Sequence, residues 1–438
     1  QEQRSKSIAK EEEIKITLSQ LEDTLLLTLV ESDGGDILHN TKLIDTLNKT
    51  KEQAAAAAES LQQIESLSRS LEEKANTFRS LAHLGADLYF AIDGLSKLDH
   101  MYRYSSTLFM SLFTSIFNGQ IAAAGQHRTL KYEAELVKLI FRHVSNSMFN
   151  KHRTAAGLHI IKSCYEKIID NMQYQFLLSG ATGGAGDVGE APKWVPETRK
   201  PAFLSFAKAM PELVQTLKMR DPSVMNVWGD WVKQSHPEEN LPMIDGQQLS
   251  KRGVTPFTQL IIVSVLVPHR LVPAIQSFIT NTLELGQFSQ PFEYSQIISD
   301  KSKLPYIFIV SPGADPSQEI GRIAQTAKIG LVEIAVGQES PDATVQKIKK
   351  CAEEGTWFLL KNVHLSISLV TRLEKEIASL TVKKDTFRVF FTTESHHLFP
   401  PLLLANSIKV AFEAPPGTRA NLLRTIAQIP TDISTNQL

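Results

Sequence analysis

The sequence predicts two fold classes in one chain: all-α through residue 302, then α/β with a parallel five-stranded sheet covered by helices. Three observations predict this. Leucines and isoleucines recur at helical spacing on both sides of a glycine-containing break in residues 1–80. Helix formers continue through residue 287 with little β-rich sequence between them. From residue 304 five short apolar, β-rich runs alternate with amphipathic helical segments.

Each element can be justified in order. Ile14, Leu18, Leu21 and Leu25 are spaced by four and three, as are Leu61, Ile64, Leu67 and Leu71. Each set therefore falls on one face of a helix. The break between them, "SDGGDILHN" at 32–40, holds turn-forming Gly, Asp and Asn. Two antiparallel helices joined near Gly34–Gly35 are expected. "AAAAAE" at 54–59 favours helix and lets a neighbour approach closely. Residues 81–178 read as helical, with aromatic residues serving as core. "SGATGGAGDVGEAPKW" at 179–194 reads as a flexible loop. Residues 203–236 and 255–287 are helical again, around a loop at 236–246. Trp228 and Trp231 are expected to anchor helix packing.

The expected strands are "YIFIVS" (306–311), "VEIAVG" (332–337), "TWFLLKN" (356–362), "FRVFFTTE" (387–394) and "SIKVAFEA" (407–414). Nearly continuous apolar strands alternating with helices indicate a parallel sheet buried on both faces. The helix "PDATVQKIKKCAEE" has start chemistry at Pro341–Asp342 and a stop at Gly355.

Bulk composition narrows the partners. The chain has 438 residues, 42% hydrophobic and 21% charged, which excludes a largely disordered protein. The net charge of -1 gives no reason to expect nucleic acid or a membrane surface. Cys164 and Cys351 are too few for a disulfide framework and fit a reducing compartment. The apolar run "LIIVSVLVP" (260–268) is too short to span a bilayer, so no membrane insertion is expected. The chain begins at Gln1 in helical sequence and is expected to be a fragment of something longer.

"YIFIVSPGADPSQEIGRIA" at 306–324 has the outline of a phosphate-binding loop. A strand enters the turn, Ser311, Pro312 and Gly313 form it, and a helix begins near Pro316–Ser317. Gly313 permits close backbone approach, and the helix start offers a positive dipole end. A hydrolysing loop would read G-x-x-x-x-G-K-[ST]. No lysine comes after this turn. Asp315 places a negative charge where an anion would sit, or else caps its own helix. The run that should end in a magnesium carboxylate ends in Lys361–Asn362. Two independent parts fail together, so no catalytic residue and no metal ligand is expected. Nucleotide binding through backbone and dipole at Ser311, Pro312, Gly313, Asp315 and Ser317 stays open. The adjacent histidines of "SHHLFP" lack ligand spacing. His364 reads as a satisfied structural histidine.

Four stretches carry a family resemblance. "LEDTLLLTLVESDGGDILHNTKLIDTLNKTK" (21–51) resembles the helical strut of the fifth AAA+ module of a dynein heavy chain. "LYFAIDGLSKLDHMYRYSSTLFMSLF" (88–113) resembles the segment after that strut in the same module. "LPYIFIVSPGADPSQEIGRIA" (304–324) resembles the degenerate phosphate loop of the sixth module. "GTWFLLKNVHLSISLVTRLEKEI", "DTFRVFFTTESHHLFP" and "FEAPPGTRANLLRTI" (355–426) resemble the rest of that module. "SPGADPSQE" and "KDTFR" resemble most the second class of cytoplasmic dynein, the retrograde motor of intraflagellar transport. One departure is Val267-Pro268-His269-Arg270, where the family often has Arg-Pro-Asp-Arg.

The resemblance implies a helical hairpin at 1–80 and a helical lid of the fifth module at 81–130. It implies the helical first part of the sixth module at 131–302, with a flexible loop at 179–202, and a degenerate P-loop core at 303–438. It implies no cofactor in this segment, ATP/ADP and magnesium being held by earlier modules of an ATP-hydrolysing microtubule motor. The implied partners are the remaining modules and stalk, the microtubule through that stalk, and dynein intermediate, light intermediate and light chains. The implied setting is cytoplasm, cytoskeleton and cilium. The alternatives are another dynein class, an active P-loop NTPase, or a helical adaptor using 1–80 as a coiled coil.

Overall fold

The computed structural model describes residues 2–31, 41–118, 126–180, 189–249, 253–288, 292–300, 302, 304–380 and 384–414, with isolated positions beyond 417. The chain divides into two compact units, Gln1–His83 with Ala122–Lys131, and Leu84–Ile121 with Tyr132–Leu438.

The first unit is built on α1 (Glu2–Glu31) and α2 (Thr41–Thr77), which lie side by side. Lys6, Ala9, Lys10 and Ile14 of α1 line one groove together with Ser60, Gln63, Ile64 and Leu67 of α2. The expected turn at Gly34–Gly35 lies outside the described residues, as do the side chains of Leu21 and Leu25. Among the described side chains of α2 the half-buried positions are Ala54, Ala57, Leu61, Ile64, Ser68 and Leu71, with Ser70 beside them. Ser70 apart, these positions alternate by three and four, a 3.5-residue repeat that keeps one seam facing a partner helix. Leu67, expected on the seam, lines the groove but is 52% exposed, while Ser68 is half-buried. The alanine run supplies two seam positions with nothing larger than a methyl group.

The second unit opens with α3 (Arg79–Asp93, of which Leu84 onward belongs here), a connector through residue 105, and α4 (Ser106–Ser115). Then come α5 (Gln126–Asn146, of which Tyr132 onward belongs here), α6 (Asn150–Cys164) and α7 (Asn171–Ser179). Of the 179–202 stretch expected to be a flexible loop, 181–188 lies outside the described residues and the remainder is anchored. Trp194 stacks on Trp228 with ring centroids 5.9 Å apart, and its indole N–H donates to the Met219 carbonyl at 3.0 Å. α8 (Lys200–Ala209) already begins inside that stretch. The physical reason is the aromatic ring, whose burial outweighs the Gly-rich sequence before it. α9 (Pro211–Thr216) and α10 (Met225–Val232) come next. Trp228 and Trp231 are both fully buried and donate to the carbonyls of Leu217 and Asn240. They are the expected packing anchors.

α11 (Pro256–Leu266) and α12 (Leu271–Thr282) complete the helical part. Between them Arg270, the last residue of the departing Val-Pro-His-Arg string, forms a two-pronged ion pair with the buried Glu238. The pair fixes the 236–246 loop to the start of α12. Burial opposes the charge on Glu238, but the Arg270 hydrogen bonds and charge, a backbone N–H and His236 together outweigh it and hold the carboxyl below its ordinary range. No described helix is long and apolar enough to cross a membrane.

α13 (Gln296–Ser299) leads into the sheet. Its strands are β1 (Tyr306–Val310), β2 (Leu331–Ala335), β3 (Trp357–Lys361), β4 (Arg388–Thr393) and β5 (Ile408–Phe412). All are parallel, in the order β2-β3-β4-β1-β5. α14 (Ser317–Thr326), α15 (Pro341–Glu354), α16 (Ile367–Ser379) and the short α17 (Pro401–Ala405) make the crossovers. Ile320, Ile323 and Ala324 on α14 bury against Phe308, Trp357, Leu359 and Phe390. α15 begins at Pro341 and stops at Gly355 as expected, its start capped by Ser340; Gly355 stands at φ +82° with the Thr386 hydroxyl where a Cβ would be. At the β2 edge, the Ala335 N–H donates to the Gln338 side chain at 2.9 Å.

Candidate functional site

In parallel α/β sheets ligands bind outside the carboxyl ends of the strands. Here that edge brings together the turn after β1, the end of β3 and the end of β4. The strand order places β3 and β1 on either side of β4.

The turn after β1 is built as the glycine predicts. Gly313 stands at φ +79° with open space where a Cβ would be. Its requirement is therefore conformational and not steric. Ser311 is tied to the end of β5. Its N–H donates to the Phe412 carbonyl at 3.0 Å, and its hydroxyl accepts the Ala414 N–H at 3.1 Å. The Ala314 N–H turns back onto the Ser311 carbonyl. Pro312 has no N–H to offer. The Asp315 carboxylate accepts both the N–H of Ser317, at 2.9 Å, and its hydroxyl. Asp315 thus caps the start of α14 from the position before Pro316. Ser311, Asp315 and Ser317, three of the five expected loop residues, are engaged with neighbours in the fold.

The end of β3 supplies a feature that sequence reasoning missed. The Lys361 ammonium reaches Glu333 of β2 at 2.5 Å and Asp315 of the loop at 3.7 Å. The Glu333 hydrogen bond, with support from Asp315, holds its pKa above the ordinary lysine value against the opposing effect of burial. Asn362, the next residue, is in the left-handed region at φ +57°, and its N–H donates to the Thr392 hydroxyl at 3.0 Å. His364 accepts the Glu394 N–H at 3.1 Å, a satisfied structural histidine. The signal for the cluster was an acidic residue inside the apolar run "VEIAVG". Its partner becomes visible only once β2 and β3 are known to be neighbours.

A magnesium–nucleotide site needs a cation on the phosphates and a carboxylate on the metal. Here the Lys361 ammonium sits at the strand end where the carboxylate belongs. The loop carboxylate that it faces is turned onto its own helix. This donor set does not fit a metal-bound triphosphate. It is a closed ion cluster joining three segments of the sheet edge.

Comparison with known proteins respects the same division of the chain. Residues 301–411 match the family described as dynein heavy chain region D6 P-loop domain. Residues 1–57 match the ATP-binding dynein motor region. Cytoplasmic dynein 2 heavy chain 1 of Chlamydomonas reinhardtii is 36% identical over 433 residues, covering 97% of this chain and 10% of that protein. Its Homo sapiens counterpart is 33% identical over 438 residues, with the same two coverages. Dynein axonemal heavy chain 6 of Homo sapiens is 26% identical over 462 residues, 98% of this chain and 11% of the relative. The chain thus spans about a tenth of the length of the curated relatives it matches. With its sheet, its loop after β1 and its helical front all aligned to one kind of protein, the chain belongs to the dynein heavy chain family.

Proposed function

We propose that this chain is a non-hydrolysing, force-bearing part of a dynein motor ring, a closed AAA+ core joined to a helical strut. The observation that carries the reading is the Lys361 cluster. A lysine in place of the metal carboxylate, paired with Glu333 and Asp315, removes the chemistry of phosphoryl transfer while leaving the sheet intact. ATP/ADP and magnesium act in earlier modules. The α1–α2 hairpin passes ring movements to the stalk and so changes microtubule affinity. Two packed helices resist bending and carry small rigid-body shifts. The names of the similar cytoplasmic dynein 2 heavy chains support retrograde intraflagellar transport, with the cilium and cytoplasmic cytoskeleton as its setting. The partners in this reading are the other ring modules, the stalk, the microtubule and the dynein intermediate, light intermediate and light chains.

Two measurements test it. Calorimetric titration of the chain with magnesium–ATP, then a phosphate-release assay, is expected to give neither saturable heat nor turnover. Turnover lost on Gly313→Val would overturn the closed-core reading. In a full-length motor, Leu61→Lys with Ile64→Lys is expected to break the hairpin seam and abolish ATP-dependent release from microtubules. Loss of a single binary partner, with release intact, would favour the adaptor reading instead.

A further inference from the structure

Strand β5 carries a lysine that is almost wholly inside the protein. Lys409 is 1% exposed, and no carboxylate among the described residues lies within ion-pair distance. Its ammonium donates to the carbonyls of Arg103 at 2.6 Å and Leu404 at 2.8 Å, with a longer contact to Ser407. It also lies 4.3 Å from the centre of the Tyr104 ring. Burying an amine is costly, and an apolar side chain would fill the space more cheaply unless the head group satisfies something. What it satisfies is the backbone of the irregular connector before α4, together with the turn between α17 and β5. The two short bonds need only two N–H donors, so they survive in either protonation state.

The same seam is tied at other points. The Ser395 hydroxyl donates to Asp99, the His100 ring to the Phe399 carbonyl at 2.8 Å, and the Ser105 N–H to the Ala405 carbonyl at 3.1 Å. Just past β5, Glu413 accepts the Asn150 N–H at the start of α6, a favourable end of the helix for a carboxylate. We propose that Lys409 is an internal latch. It binds the 99–105 connector to the trailing edge of the sheet, residues 395–413, so that the two move as one piece. A displacement of the sheet edge is then handed to α3 and α4 and not absorbed by the connector. The latch operates whether or not the loop after β1 holds nucleotide.

Hydrogen exchange read by mass spectrometry on the whole chain tests this. Lys409→Met keeps the apolar stem and removes the donors. Exchange over 99–105 is expected to rise about tenfold or more while β1 and β4 keep their protection. Unchanged exchange over 99–105, or an equal rise throughout the sheet, would overturn the latch. Should Lys409→Met not fold, Asp99→Ala provides the second arm. Its expected signature is faster exchange on both sides of the seam, at 99–105 and at 395–405. A rise confined to the immediate neighbours of residue 99 would sink the proposal.

Discussion

All six residues of β4 are buried, whereas no described side chain of α1 or α2 is more than half-buried. The sheet draws its stability from layers on both faces, and the hairpin from a single seam. In the sheet Phe390 touches Tyr306, Phe308 and Trp357 at once. In the hairpin Leu61 and Ile64 lie along that one seam, each only half-buried. The difference teaches that the two regions answer a mutation differently. Damage in the sheet is global, while damage in the hairpin stays local, because its contacts run along one line and do not form layers.

The sharpest way to break this comparison is Phe390→Ala. It is expected to cost about 3–5 kcal/mol, read as a lower denaturant midpoint for the whole second unit. A loss confined to β4 exchange would show that the sheet is less cooperative than its packing implies. Next, Leu61→Ala removes a half-buried seam residue and is expected to cost about 1–2 kcal/mol. Its mark is faster exchange along α1 and α2 with the sheet midpoint unmoved. Gly313→Ala forces an alanine into the left-handed region, for about 1 kcal/mol. It should lower the sheet midpoint slightly and leave the hairpin untouched.

A further difference is a pH slope that belongs to the second unit. Burial pushes the Lys409 amine down to about 7 from its ordinary value of 10.5. Between those values the unfolded chain holds a proton that the folded chain has released, so stability rises with pH across that window. The slope is less than about 1.4 kcal/mol per pH unit. Denaturant titrations at pH 7 and 9 should show the rise in the native chain and its loss in Lys409→Met. The hairpin, with no buried amine among its described residues, should show no matching slope.

These regions also differed in how much the sequence disclosed. Every strand lies within or one residue beyond its expected run, because continuous apolar runs flanked by turn residues have few other solutions in a soluble fold. The α15 helix matched at both ends, since Ser340, Pro341 and Gly355 are local signals acting on local backbone. The hairpin helices were legible, but the seam was read with a drift. Leu67 fits the expected helical stripe, yet it stands more exposed than its neighbour Ser68. Of the candidate site, Gly313 and the capping alternative for Asp315 were readable from the turn itself. The Lys361–Glu333 pair was not, because it depends on which strands are adjacent. Trp194 was hidden by the glycines before it. The burial of Lys409 was hidden by its residue type, which ordinarily marks a solvent-facing position.

The Gln338 amide that occupies the Ala335 N–H has a consequence for the molecule in crowded surroundings. β2 is an outer strand, and an outer strand with idle amides is a template for a stranger's backbone. By folding its own glutamine onto the end of that strand, the chain takes one such amide, the Ala335 N–H, out of reach of an incoming extended peptide.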